Sequence, residues 1–125
     1  MCLDTVDSKP NKDVKWGYKT FYRWGGCIVG QVFTSDKYTR GYPIGEWIED
    51  DYDGYIPSNS SGYYRSGFHF CEDIPQLDTN PSLKNCYLVF KVEVDDVVAS
   101  GYQCYDRVHV ARKMKIIEEV KYDKL

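Results

Sequence analysis

The chain has 125 residues, a length that suits one domain and is too short for two ordinary domains. Its 16 lysines and arginines and 19 aspartates and glutamates give a net charge of -3, which argues against broad electrostatic binding to nucleic acid or an anionic membrane. The five cysteines are odd in number, form no C-x-x-C pair and follow no apolar leader, so we expect a reduced, cytoplasmic protein.

Aromatic side chains make up 16% of the chain, and 12 of them are tyrosines. Tyrosine combines a flat apolar ring with a hydroxyl that donates and accepts hydrogen bonds. An excess of tyrosine therefore indicates large contact surfaces, either between subunits or around a flat ligand. The same excess is also typical of an ordinary β-protein, because aromatic residues favour strands.

The first elements read as a polar segment and a hairpin. Residues 1–15 lack an apolar pattern and predict a flexible N-terminal segment, which leaves 16–125 as a single ligand-binding domain. Residues 16–24 alternate bulky and polar side chains, Gly25-Gly26 suits a tight turn, and residues 27–33 form the returning strand.

A long segment, 34–66, follows and is rich in Ser, Gly, Asp, Pro and Tyr. Its length and its aromatic residues predict an ordered, functional loop, with residues 42–48 as an island of structure. Residues 67–71 then form a short strand. Asp73 is a credible helix N-cap, with Gln76 at capping-box spacing, and Asn80-Pro81 ends the short helix that these signals predict.

The clearest strand spans residues 86–94, and Asp95-Asp96 predicts a turn after it. A short strand over 97–101 and another from 108 to 117 complete the pattern. The predicted class is α+β: mainly antiparallel β, with one short helix and a long aromatic-rich loop, in a single domain.

Two kinds of chemistry receive little support from the residue pattern. His69 and Cys71 could share a strand face, but no second close pair of ligands accompanies them, so we expect no metal site and no cofactor. Glu93 or Glu72 could serve as the single acid of an enzyme that cleaves NAD or ADP-ribose. Glu93 beside Lys91 on a solvent-facing strand is the simpler interpretation, and we predict no catalytic residues.

Anion binding receives more support. Arginines stand beside aromatic residues in Tyr22-Arg23-Trp24, Tyr63-Tyr64-Arg65 and Tyr105-Asp106-Arg107. A guanidinium suits bidentate contact with phosphate, and neighbouring rings can stack on a base. Each arginine alone also fits a solvated strand face, so the group carries more weight than any single member.

Several short motifs resemble one family when taken in order. They are Met1 to Val6, Gly17 to Tyr22, Tyr42-Pro43-Ile44-Gly45-Glu46-Trp47, Gly67-Phe68-His69, Val97 to Gly101 and Val110-Ala111-Arg112-Lys113-Met114-Lys115-Ile116. This order resembles the phage anti-Thoeris sponge proteins, and the resemblance spans most of the chain. Those proteins sequester the glyco-cyclic ADP-ribose signal of bacterial TIR-domain enzymes without cleaving it. Some members assemble from dimers into hexamers and bind cyclic oligonucleotides.

The resemblance implies a non-enzymatic binding protein that blocks Thoeris defence in the cytoplasm of an infected bacterial cell. It implies a cyclic ADP-ribose-type ligand, a homodimer or hexamer, and neither a membrane nor a nucleic-acid polymer as partner. The candidate phosphate contacts are Arg112 first, then Arg107, Arg65 and Arg23. Phe68, His69 and Trp47 are the candidate walls for adenine or ribose, and Phe68 and Trp47, each taken alone, fit ordinary core positions slightly better. The alternatives are an enzyme that acts on an ADP-ribose or NAD derivative, and a phage protein that binds a host polypeptide.

Overall fold

The computed structural model describes residues 3–24, 27–29, 41–60, 62–74, 87–103 and 105–120. Every regular element within these ranges is a β-strand. In chain order the strands are β1 (Thr5–Val6), β2 (Trp16–Trp24), β3 (Cys27–Val29), β4 (Trp47–Glu49), β5 (Tyr55–Pro57), β6 (Tyr63–Arg65), β7 (Phe68–Cys71), β8 (Tyr87–Gln103) and β9 (Asp106–Val120).

The predicted α+β class is therefore wrong, and the fold is mainly β with antiparallel pairing. The chain bends at Glu72 and Asp73, where the helix was expected to begin, and residues 75–86 lie outside the described residues. The capping signals around Asp73 were local, and no apolar stripe of helical spacing supported them. Capping residues serve bends and turns as readily as helices, because their side chains bond nearby backbone groups in both settings.

The sheet is built on a long antiparallel hairpin of β8 and β9. β2 lies along the first half of β8, and β7 lies along the first half of β9. One pair of residues, Tyr18 and Cys71, joins β2 to β7, so that β2, β8, β9 and β7 form a closed ring. β1, β3 and β4 extend the sheet from β8, β2 and β9, while β5 and β6 form a separate hairpin.

The predicted turn at Asp95-Asp96 is wrong, because β8 continues through it. Asp96 adopts a φ of 60°, in the left-handed region that aspartate tolerates better than most residues. Its backbone N–H donates to Oδ1 of Asp95 at 3.0 Å, and the pairing with β9 shifts register between Val97 and Ala99. The two aspartates thus mark an irregularity within one strand, and the predicted strand over 97–101 is its second half.

Other predicted strands are confirmed. The hairpin of 16–24 with 27–33 exists as β2 paired with β3, although Gly25, Gly26 and residues 30–33 lie outside the described residues. The strand over 67–71 is β7, and the strand over 108–117 lies within β9. The described part of the predicted loop, 41–60 and 62–66, contains three short strands, β4, β5 and β6.

The core has two parts. The larger part contains aromatic residues in edge-to-face contact, with ring centroids of Phe21 5.2 Å from Tyr42 and 5.6 Å from Phe90. The smaller part joins the β5–β6 hairpin to the sheet through Ile56 and Tyr64. The buried members of the larger part are Phe21, Tyr42, Ile48, Phe68, Phe70, Phe90, Val92, Val94, Val97, Ala111, Met114 and Ile116.

The N-terminal segment, which the sequence predicts to be flexible, contacts the sheet from its first described residue. Leu3 is fully buried, and its backbone N–H donates to the Tyr64 hydroxyl at 3.0 Å. Thr5 and Val6 pair with β8 opposite Tyr102 and Gly101. A Cβ at Gly101 would lie 1.9 Å from the Thr5 carbonyl oxygen, so this close approach of two strands requires glycine.

Candidate functional site

Arg112, the first predicted phosphate contact, is 8% exposed and is engaged by the protein itself. Its guanidinium donates at 2.7 Å to the backbone carbonyls of Tyr52, Ser66 and Asp50. A guanidinium nitrogen also lies 3.4 Å from Oδ2 of Asp50. These contacts fix residues 50–66 to β9, so the position of Arg112 is structural.

Asp50 is buried with Arg112 and receives further hydrogen bonds. The Tyr52 backbone N–H donates to its Oδ1 at 3.0 Å, and the Ser66 hydroxyl donates to its Oδ2 at 2.8 Å. A buried carboxylate needs a cation and hydrogen-bond donors around it to offset its lost hydration. No sequence motif indicates this pair, since its two members are 62 positions apart.

Phe68 and His69, two predicted ligand walls, both lie in the interior. Phe68 belongs to the larger part of the core, with its ring centroid 6.5 Å from that of Tyr42. The Tyr64 hydroxyl lies 2.7 Å from Nε2 of His69. Burial, and then the positive charge of Lys19, lowers the pKa of His69 to about 3, so the ring is neutral at pH 7.

Lys19 is a buried cation that the sequence analysis did not single out. Its ammonium donates to the His69 carbonyl at 2.7 Å and lies 5.9 Å from the centroid of the Phe21 ring. Burial lowers the pKa of Lys19 to about 8, while the nearby Cys71 thiol partly opposes that shift. The only sequence signal was its position between Gly17 and Phe21 on the inward-facing side of an alternating strand.

A second, buried histidine lies near a buried serine and an exposed glutamate. Nδ1 of His109 lies 2.7 Å from the Ser100 hydroxyl, and Nε2 lies 3.6 Å from Oε1 of Glu72. Ser100 is fully buried and also accepts a hydrogen bond from the Asn11 backbone N–H at 2.9 Å. With no exposed surface on its hydroxyl, Ser100 is placed to hold the N-terminal segment on the sheet and cannot reach a substrate.

Arg107 and Arg65 are each oriented by an aspartate. Arg107 donates to the Asp7 carboxylate at 2.5 Å and stacks over the Tyr102 ring at 5.0 Å from its centroid. This hydrogen bond to the Asp7 carboxylate raises the pKa of Arg107. Arg65 pairs with Asp53, and both side chains of this pair are partly exposed. Such exposed pairs contribute little stability, so an arriving anion can compete with the carboxylate.

An open groove lies beside Arg65, between the N-terminal segment, the β5–β6 hairpin and β8. Its volume is about 500 Å³. Tyr55 and Tyr63 are 63% and 73% exposed, and their strand partners on the same hairpin face are Arg65 and Pro57. We call this site the tyrosine groove; its lining includes Asp7, Lys12, Tyr55, Tyr63, Arg65 and Asp96, with Arg112 at its inner side.

The other predicted site residues lie elsewhere. Trp47 is on β4 and lines a different cleft, together with Trp16. Arg23 is on β2 opposite Ile28, and its side chain lies outside the described residues. The structure thus brings Arg65 and Arg112 to one groove and does not bring Phe68, His69 or Trp47 to it. Tyr55 and Lys12 were missed because the first stands in a predicted loop and the second in a predicted flexible segment.

The described residues contain no group of three or more His, Cys, Asp or Glu side chains that could hold a metal ion. Within the same ranges, no helix has the length and apolar character needed to cross a membrane. Cys71 is a free, partly buried thiol, and burial raises its pKa to about 12.

The fold and site define an all-strand domain, within the described ranges, that has a closed four-strand ring and an open groove flanked by tyrosine and arginine. Comparisons of the chain with protein-family models, with curated proteins and with solved structures found no match.

Proposed function

We propose that this protein sequesters a nucleotide-type signal of the cyclic ADP-ribose class without cleaving it, as its resemblance to the anti-Thoeris sponge proteins predicts. The tyrosine groove is the binding site in this proposal. The observation that carries it is the presence of two exposed tyrosine rings, Tyr55 and Tyr63, beside the cations Arg65 and Lys12 in one groove. Aromatic rings stack on adenine, and the cations contact the two phosphates.

A sequestering protein must bind its ligand tightly, and the contacts in this groove can be compared with the binding free energy that this requires. Nanomolar binding corresponds to about -12 kcal/mol. Two aromatic stacks and two charged hydrogen bonds give roughly 5–12 kcal/mol before the cost of ordering the partners. One groove therefore falls short on its own, and a second copy of the chain that covers the ligand is the economical way to close the gap. The proposal thus includes a homodimer or a larger assembly.

The lining charges of the groove decide which cations are available. Arg107 holds Asp7 at the rim, and Asp53 holds Arg65 through an exposed pair. Lys12 donates to the Val97 carbonyl at 3.3 Å, a long contact that leaves two of its ammonium protons for a ligand. A phosphate that displaces Asp53 from Arg65 would form a charge-assisted hydrogen bond in place of the weak, exposed ion pair.

The experiment is capture followed by release. The purified protein is incubated with cyclic ADP-ribose isomers made by a TIR-domain enzyme, separated from free ligand, heated, and its supernatant analysed by mass spectrometry. Intact cyclic ADP-ribose in the supernatant supports sequestration. A cleaved product would replace the proposal with an enzyme, for which Glu93→Gln and Glu72→Gln are the first variants. No released ligand would overturn the proposal and favour a protein partner.

Variants then place the ligand. Tyr63→Ala and Arg65→Ala should each reduce capture, because each removes a stacking ring or a phosphate contact. Tyr105→Ala is the matched control, since Tyr105 is exposed outside the groove. Capture that is unchanged in both groove variants would show that the ligand binds elsewhere.

A further inference from the structure

Two tryptophans face solvent and line a cleft that shares no lining residue with the tyrosine groove. Trp16 is 49% exposed and Trp47 is 51% exposed. They line a cleft of about 440 Å³, here called the tryptophan cleft, with Lys15, Lys91, Glu93 and Asp95. Large exposed indoles cost free energy in water, so a pair of them in one cleft calls for a ligand.

Strand pairing fixes the positions of these two rings. Trp16 pairs with Glu93, Glu93 pairs with Lys115, and Lys115 pairs with Trp47, so one row of side chains crosses β2, β8, β9 and β4. Directly paired residues project from the same face of a sheet. Neighbouring strands are about 4.8 Å apart, so the row is about 14 Å long when measured along the curved sheet.

Neighbouring residues hold Trp16 and the start of β2 in place. The Lys91 ammonium lies 4.8 Å from the centroid of the Trp16 ring, and Tyr18 packs edge-on against that ring at 5.6 Å. The Val94 backbone N–H donates to the Lys15 carbonyl at 2.8 Å, which holds the start of β2 on β8. These contacts hold the Trp16 indole, which is 49% exposed, against β8 and its own strand.

The charges of the cleft identify the class of ligand. Lys15 and Lys91 of the lining are matched in number by Glu93 and Asp95, and the row adds Lys115 between Glu93 and Trp47, so the cleft carries charges of both signs and not the cluster of cations that a phosphate needs. Ammonium groups and carboxylates placed side by side can donate to and accept from hydroxyl groups. Sugar rings present hydroxyls at their edges and apolar C–H groups on their faces, and those faces stack on indoles.

We propose that the tryptophan cleft binds a neutral oligosaccharide, with one sugar ring on Trp16, another on Trp47 and the hydroxyls between them on the charged floor. A row of about 14 Å along the sheet, with an indole at each end, suits a chain of linked sugars better than a single ring. This site is separate from the tyrosine groove and does not depend on the function proposed for it.

The test is a glycan array that carries neutral and anionic oligosaccharides, followed by a tryptophan-fluorescence titration with the neutral glycan that binds best. We expect binding to neutral glycans, a loss of roughly tenfold or more in affinity for Trp16→Ala and for Trp47→Ala, and partial rescue by Trp47→Phe. Tyr105→Ala is the control for loss of an exposed aromatic ring, and Tyr63→Ala should leave glycan binding unchanged.

Three results would overturn the proposal. The first is the absence of any bound neutral glycan, and the second is binding confined to anionic glycans. The third is a concentration-dependent mass that Trp47→Ala abolishes, which would make the cleft a contact between copies of the chain. Urea unfolding of each variant, with a midpoint near that of the parent, shows that a lost signal reflects the cleft and not misfolding.

Discussion

Replacing Arg112 by methionine removes one cation from the interior and leaves its partners in place. Asp50 remains as a buried carboxylate, and the three carbonyls that the guanidinium reached at 2.7 Å lose their donor. Breaking a buried ion pair on one side costs about 3–5 kcal/mol. At about 2.1 cal/mol/K per residue, the unfolding entropy of this chain converts that loss into a fall of roughly 11–19 °C in Tm.

The assay is equilibrium urea unfolding, with Lys113→Met as the matched control. Lys113 follows Arg112 on the same strand and is exposed, so its loss should change the free energy of unfolding by no more than about 0.5 kcal/mol. Arg112→Lys should give an intermediate loss, because lysine keeps the charge and lacks the planar guanidinium that reaches several carbonyls. Arg112→Met combined with Asp50→Asn should lose less than the sum of the two single variants.

A loss below about 1 kcal/mol for Arg112→Met would refute this reasoning, since no buried network of this kind could then depend on the guanidinium. So would a stable Arg112→Lys variant that no longer captures ligand. That combination would return Arg112 to the role of phosphate contact that the sequence predicted, and Arg65 would become the weaker candidate.

Three further predictions concern backbone contact and pH. Gly101→Ala should lower the free energy of unfolding by about 1–3 kcal/mol and increase amide exchange in β1, because its Cβ would meet the Thr5 carbonyl; unchanged exchange would contradict this. Lys19 has a pKa of about 8 in the folded chain and an ordinary value of 10.5 in the unfolded chain. Between pH 8 and 10.5 the unfolded chain therefore binds more protons than the folded chain, and the free energy of unfolding should rise with pH. The raised pKa of Cys71 has the opposite effect between pH 9.0 and about 12, where it makes stability fall as the pH rises. Urea unfolding should therefore compare Cys71→Ala with the double variant Cys71→Ala, Lys19→Met. Equal slopes of unfolding free energy against pH in the two would refute the prediction for Lys19. The NMR signals of His69 should not titrate around pH 6.5, because burial lowers the pKa of this histidine to about 3; a normal titration would contradict its burial. The free energy of unfolding should fall as the pH drops from 6.5 towards 3, since only the unfolded chain binds the proton in that range.

The strands were predictable where the pattern was strong. Residues 86–94 and 108–117 alternate well enough to reveal β8 and β9. Their connection was not predictable, because Asp95-Asp96 carries a turn signal while the chain reverses after Gln103, where Cys104-Tyr105 carries none. Turn propensities compete with the pairing of two long strands, and here the pairing decides.

The role of each arginine was beyond the reach of sequence reasoning. Arg112 stands next to Ala111 in an alternating strand, as an exposed phosphate ligand would. Its structural role depends on three backbone carbonyls that are 46 to 62 positions away in the sequence and that the fold brings to it. Arg65 follows Tyr63 and Tyr64 in the sequence, but only the pairing of Tyr55 with Arg65 shows which tyrosine across the hairpin shares its face.

The inward side of the β5–β6 hairpin explains how the outward side can serve as a binding surface. The Leu3 backbone N–H donates to the Tyr64 hydroxyl, and that hydroxyl also forms a hydrogen bond of 2.7 Å with Nε2 of His69. The histidine in this arrangement is neutral, because burial lowers its pKa. Since alternate residues of a strand face opposite ways, fixing Tyr64 inward fixes Tyr63 and Arg65 outward before any ligand arrives. His69, predicted as a ligand wall, thereby holds Tyr64 and with it the outward face of the hairpin, so that the tyrosine groove would lose little conformational freedom on binding the proposed ligand.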